Sequence, residues 1–293
     1  MPSIRQLRRR IRGVQNTRQI TRAMELVASS RLRRAQERVL ASRPYAERIR
    51  AVISNLAAVS GAQELHPLLQ VRPVSHAALI LFTTSRGLCG SLNSNMVRAV
   101  VRFILDRGVS VDIIAVGTKG PTLLRSVGLS GSVAAQYQDL GNYPNVADIL
   151  PISRSTIEGF TTARYDEVYV GYSQFVNLMR QEPTLLRILP IAPEELESSE
   201  ASAYHQVDYI YEPDPDAVLS NLLPRFIEAQ VYRALLESIA SEHSARMIAM
   251  RNATENAEEI LQDLTLTYNK VRQTAITNEV IEIATAAKAI AGV

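Results

Sequence analysis

The sequence predicts an α/β fold. It combines a long antiparallel coiled coil of the N- and C-terminal helices with a central Rossmann-like α/β domain. Three observations predict it. Apolar residues recur at spacings of three and four through the first part of the chain, 1–60. The same spacing fills the last part, 214–290. Between them, in 70–212, short apolar runs of strand length alternate with helical patterns, which is the grammar of a parallel or mostly parallel sheet.

The first helix carries Ile4, Leu7, Ile11 and Val14, then Ile20, Met24 and Val27, then Leu32, Ala35 and Val39. Tyr45, Ile49, Val52 and Leu56 extend the stripe past Pro44, which removes one backbone donor and predicts a bend. The stripe is narrow and flanked by arginines, as in a coiled-coil seam. The last helix opens at Asp214-Pro-Asp, with proline in the first turn, and meets no strong stop before Gly292. Helix of that length, at about 1.5 Å per residue, makes a rod of roughly 110 Å. His243, Arg246, Asn278 and Glu282 fall on its seam. A seam built for stability excludes charge, so these four are expected to face something other than the partner helix.

In the middle, Ala77 to Phe82, Val111 to Val116 and Tyr165 to Tyr172 read as strands, with Leu185 to Ile191 and Val207 to Tyr211 as two more. Helices are expected at about 93–107, 119–127 and 145–163. Glu194 to Ala203, acidic and rich in small residues, reads as a loop.

Composition excludes several classes. The apolar fraction is 46% and the charged fraction 21%, which is globular and not disordered. No apolar run approaches the roughly 20 residues of a bilayer span. Cys89 is the only cysteine, so neither an intrachain disulfide nor a cysteine-based zinc site can form. The net charge of +3 conceals an uneven distribution: residues 1–50 hold 14 arginines against Glu25, Glu37 and Glu47. That end seeks an acidic partner, whether nucleic acid, anionic lipid or acidic protein loops. The helical period continues past residue 30 without a Ser-rich spacer, so the basic start reads as mature fold and not as a presequence.

Catalytic signals are weak. Gly117-Thr-Lys-Gly-Pro-Thr follows a strand but matches neither phosphate-loop pattern. His66, His76, His205 and His243 stand alone, and no metal or cofactor is expected. Cys89, in a glycine-bearing turn after the first central strand, reads as a small packed residue. Three readings remain at this level: a structural shaft, a coiled coil that binds nucleic acid through its first helix, and an enzyme with a concealed site. The first helix has one aromatic within residues 1–50, Tyr45, so stacking platforms for nucleic acid are lacking.

Several long motifs carry a resemblance. Ile4-Arg-Gln-Leu-Arg-Arg-Arg-Ile-Arg-Gly opens the chain, and Thr21-Arg-Ala-Met-Glu-Leu-Val-Ala follows. Arg86-Gly-Leu-Cys-Gly-Ser-Leu-Asn, Tyr211-Glu-Pro-Asp-Pro, Ala240-Ser-Glu-His-Ser-Ala-Arg and Tyr268-Asn-Lys-Val-Arg-Gln-Thr-Ala-Ile-Thr-Asn-Glu complete the set. Together they resemble the gamma subunits of rotary F-type ATP synthases, over essentially the whole chain. The resemblance implies a central shaft without a catalytic site of its own. Its coil would stand within three alpha and three beta subunits, and its foot would rest on the c-subunit ring beside epsilon. It implies no cofactor, no nucleic acid and no direct membrane insertion. The implied location is the cytoplasmic side of a bacterial cell membrane, as a peripheral subunit.

By motif, Met24 matches the shaft methionine near an acidic lever loop of beta. Arg9, Arg10, Arg31, Arg33 and Arg34 are the charge candidates for such loops. Arg246, Arg272, Gln273, Thr277, Glu279 and Glu282 match shaft positions that bond the surrounding ring, and Tyr209 and Glu212 match the foot on the c ring.

Overall fold

The computed structural model describes residues 3–60, 66–138, 140–141, 143–191, 212 and 214–291, without the side chains of 57–60 and 288–291. The expected strand Val207 to Tyr211 and the loop Glu194 to Ala203 lie outside the described residues. The order of elements is α1 (Ile4–Ser60), β1 (His76–Phe82), α2 (Leu92–Arg107), β2 (Ser110–Val116), α3 (Lys119–Ser126), β3 (Val133–Tyr137), α4 (Val146–Thr161), β4 (Glu167–Phe175), β5 (Gln181–Leu189) and α5 (Pro215–Ala291). The chain forms two compact units, residues 1–28 with 247–293, and residues 29–246.

The unit of residues 29–246 is built on a five-stranded sheet of order β3-β2-β1-β4-β5. β1 pairs parallel with β2 and β4, and β2 pairs parallel with β3. β5 pairs antiparallel with β4, because the connection 176–180 is far too short for a parallel crossover. β1 is apolar from Ala77 to Phe82 because both its faces are covered there. Ala78, Ile80 and Phe82 point into a core shared with Ile53 and Leu56 of α1, Ile149, Ile152 and Phe160 of α4, and Leu223 and Ile227 of α5. Ala77, Leu79 and Leu81 point the other way, onto Met96 and Val100 of α2 and Leu124 of α3.

Two polar devices fix the sheet's ends. The Asp166 carboxylate accepts from the backbone N–H groups of Ser75 and His76 at 2.8 and 3.0 Å, and these bonds hold it below the usual carboxylate range. Glu167, almost buried, accepts from Arg107 at 2.6 Å and from the Tyr169 hydroxyl at 3.0 Å. Burial first, and then Glu167, push the Tyr169 phenol up to about 12. α5 starts where its sequence signal lies, with the Asp214 carboxylate capping the N–H of Ala217 at 2.8 Å.

The unit of residues 1–28 and 247–293 is an antiparallel helix pair. Arg8 donates to the Tyr268 hydroxyl at 3.1 Å, Arg18 pairs with Glu258 at 3.2 Å, and Thr254 donates to Thr21 at 2.8 Å. Residue numbers rise on α1 as they fall on α5, which sets both direction and register. The seam is narrow: Leu7, Thr21, Ala28, Met250, Ala257 and Leu261 are its buried residues. α1 starts at Ile4, one turn from Arg8, so α5 soon runs on without it. Every residue from 272 to 287 is exposed. The stretch beyond Val271 is about 20 residues, or about 30 Å of helix.

Candidate functional site

An open sheet of this winding has a crevice where the order reverses, here between the C-terminal ends of β1 and β4, and ligands usually bind in it. The chain's own α5 occupies that place. Ser241, fully buried, donates to the Ser173 carbonyl at the end of β4 at 2.7 Å. Ser244 donates to the Leu178 carbonyl at 2.8 Å. Arg246 reaches the Gly87 carbonyl at 3.3 Å and pairs with Glu242 at 2.7 Å. One face of a single helix thus closes both loops that would hold a substrate.

The other sequence candidates for chemistry are also engaged internally. In the turn after β2, the N–H of Gly117 donates to Tyr137, that of Lys119 to Thr84, and that of Gly120 to the Thr83 hydroxyl, each at 3.0 Å. A Cβ on Gly117 would sit 2.2 Å from the Thr83 carbonyl oxygen. Those amides are spent on the sheet, with no cradle left for a phosphate. Cys89 is buried, 3.4 Å from the Asn93 amide, and burial pushes its thiol up, away from a reactive thiolate. His66 caps Leu68 through Nδ1, and His76 lies 3.3 Å from Asp112. His205 is outside the described residues. Among the described residues no cluster of three or more His, Cys, Asp or Glu side chains could hold a metal. No described helix is long and apolar enough to cross a membrane.

The four polar seam positions of α5 divide. Asn278 and Glu282 are exposed because they lie in the stretch 272–287, beyond the start of α1, where every residue is exposed. His243 and Arg246 are buried inside the larger unit. Burial, helped by the charges of Arg246 and Arg31, lowers the His243 imidazole to about 4, so it is neutral at physiological pH. Arg246, expected at a surrounding ring, has a side chain only 9% exposed, and its guanidinium holds the loop after β1. No sequence spacing links Arg246 to that loop, some 160 residues earlier.

The remaining sequence candidates are mostly on the surface. Arg9, Arg10, Arg33 and Arg34 are exposed, while Arg31 and Met24 are half-buried. Arg33 pairs with Glu37 at 3.3 Å, and Arg34 donates to the Tyr143 hydroxyl at 2.8 Å. Arg272, Gln273, Thr277, Glu279 and Glu282 share the bare end of α5. Glu212 is exposed, and Tyr209 lies outside the described residues. Apolar side chains that no motif singles out lie beside them. Ile276, Val280, Ile281 and Ile283 are each more than half exposed. Their signal was present as apolar residues beyond the end of any possible partner on α1.

Comparison with known proteins places this geometry. The sequence model of the ATP synthase family matches residues 3–290. The ATP synthase gamma chain of Roseiflexus castenholzii is 52% identical over 99% of both chains. That of Chloroflexus aurantiacus is 48% identical over the same shares. Among solved structures, a chain of the Tetrahymena thermophila mitochondrial ATP synthase central stalk and c-ring aligns with a TM-score of 0.62 at 27% identity. The alignment covers 80% of this chain and 99% of that one. A chain of the Euglena gracilis mitochondrial ATP synthase shares the fold, with a TM-score of 0.65 at 19% identity over 98% of this chain and 94% of that one.

Proposed function

The chain belongs to the ATP synthase gamma-chain family, and from that premise we propose that it is the central rotating shaft of a proton-driven F-type ATP synthase. It couples rotation of the c ring to conformational cycling of the catalytic sites on alpha and beta. The single observation that carries this reading beyond family membership is the bare end of α5. Some 30 Å of helix with exposed isoleucines and valine has no partner among the described residues. A helix that apolar needs an apolar sleeve, and a ring of alpha and beta subunits supplies one.

In this reading the helices 1–60 and 214–290 form the shaft, and 70–212 is the domain of the foot. Arg272, Gln273, Thr277, Glu279 and Glu282 face the ring from α5. Met24, Arg9, Arg10, Arg31, Arg33 and Arg34 face acidic loops from α1. Arg246 acts there through the loop it holds. Tyr209 and Glu212 meet the c ring, with epsilon alongside. The shaft carries no catalytic site of its own, and the complex sits peripherally on the cytoplasmic face of the cell membrane. Each ring contact is individually weak, since a deep hot spot would stall rotation.

The test is native mass spectrometry of this chain with its host's alpha and beta subunits. The reading predicts three copies of each with one copy of this chain, because a single central element is what breaks threefold symmetry. If all three proteins are folded and no such complex forms, the shaft reading fails. Deleting residues 284–293 should weaken that complex without abolishing it, since most of the bare segment remains.

A further inference from the structure

Residues 29–246 contain a cavity of about 250 Å³ walled by α1, β4, β5 and α5. Arg50, Tyr172 and Gln230 line it, together with Arg187 and Arg233. The last two have partners: Arg187 lies 3.9 Å from Glu167, and Arg233 bonds Glu237 at 3.0 Å. Arg50 differs. Its Nε is buried without a hydrogen-bond partner, and its guanidinium forms no ion pair with any described residue. The Tyr172 hydroxyl and the Gln230 amide likewise have no hydrogen-bond partner among the described residues. Native interiors seldom leave a buried donor unmatched, and one that persists marks a place for an acceptor.

The chemistry of the lining selects the acceptor. Arg187 and Arg233 are paired with Glu167 and Glu237, so the uncompensated charge of the lining is that of Arg50, which offers a planar fork of donors suited to an oxyanion. The Tyr172 hydroxyl keeps its proton well into alkaline conditions, because burial pushes it up to about 12, so it adds a neutral donor. Ile188, Ile191 and Phe226 form the apolar wall. The volume lies at or below the roughly 300 Å³ where organic ligand sites begin, which favours a compact ion over a nucleotide. We propose that this cavity binds a phosphate-type oxyanion, held by the Arg50 guanidinium with the Tyr172 hydroxyl and the Gln230 amide.

The test uses the full chain and its thermal unfolding midpoint, with sodium phosphate or pyrophosphate compared against sodium chloride at equal ionic strength. Binding to the native state alone raises the midpoint saturably. The wild-type chain should show that rise, Arg50→Gln should weaken the apparent affinity at least tenfold, and Tyr172→Phe should weaken it several-fold. Arg98→Gln, on the exposed side of α2, should keep the full response. Phosphatidylglycerol vesicles form a separate arm. A rise with vesicles alone would make a lipid headgroup the source of the phosphate, and a rise with the free ions would make it a soluble anion. A rise no larger than in chloride in every arm would overturn the proposal, as would an Arg50→Gln chain that responds like wild type. In chloride, Arg50→Gln should melt at or above the wild-type temperature, because the arginine makes no bond to lose. Marked destabilisation there would mean that Arg50 is already satisfied within the chain, and would also overturn the proposal.

Discussion

In residues 29–246, six of the seven residues of β1 are buried, covered by helices on both faces. In the other unit, residues 272–287 of α5 are exposed without exception. The same chain therefore contains a sheet core that is satisfied internally and a helix end that is not. The difference is not one of hydrophobicity, since Ile276, Val280, Ile281 and Ile283 are as apolar as anything in β1. It is a difference in who supplies the covering surface. For β1 the chain supplies it, and stability follows. For the end of α5 a partner must, and apolar residues there contribute to association in place of folding.

Substitutions in the two units should behave differently. The largest effect is expected from Phe160→Ala, which empties a fully buried site in the sheet core. It should cost about 3–5 kcal/mol in denaturant unfolding. Glu167→Gln removes the charge that Arg107 and Tyr169 share, and should cost about 1.5–3 kcal/mol in the same assay. Thr254→Val in the helix pair loses one seam hydrogen bond to Thr21, and about 0.5–1.5 kcal/mol is expected. Ile281→Ser should change the stability of the isolated chain by less than about 0.5 kcal/mol, yet weaken assembly with alpha and beta. A large loss of stability in the free chain would show that Ile281 is covered internally.

The pH dependence separates the two units as well, because the strongly shifted groups among the described residues lie in 29–246. Tyr169 and Tyr172 are raised to about 12, so the folded state holds their protons more tightly than the unfolded state does. Their contribution is complete below pH 10, and it is lost as pH rises from about 10 towards 12. His243 is lowered to about 4, so its contribution is present above about pH 6.5 and lost as pH falls through 4. Unfolding midpoints across pH should show both slopes. Tyr172→Phe should flatten the alkaline one and His243→Gln the acid one.

Much of this was legible in the sequence, and the omissions have physical causes. The two long helices and the strands β1, β2 and β4 announce themselves by period and apolar content. β3 escaped because Val-Ala-Ala-Gln-Tyr at a sheet edge is only half-buried and carries no run of branched residues. β5 starts at Gln181, four residues before its apolar signal, because Pro183 tolerates an edge strand while masking one. Of the site, the polar breaks in the α5 seam stood out as anomalies. Only the three-dimensional arrangement shows that His243 and Arg246 are buried in the larger unit, while Asn278 and Glu282 lie where every residue of α5 is exposed. Arg50, Tyr172 and Gln230 come from three elements far apart in the chain, and no spacing rule connects them.

In this reading the end of α5 is completed by other subunits and not by the described residues of this chain. Hydrogen exchange of the amides of 272–287 tests it directly, measured in the isolated chain and again in its complex with the host's alpha and beta subunits. A helix end without packing opens by local fraying, so exchange in the isolated chain should be fast. In the complex it should slow at least tenfold, while the amides of β1 exchange slowly in both. Equal rates for 272–287 in the two states would contradict the account.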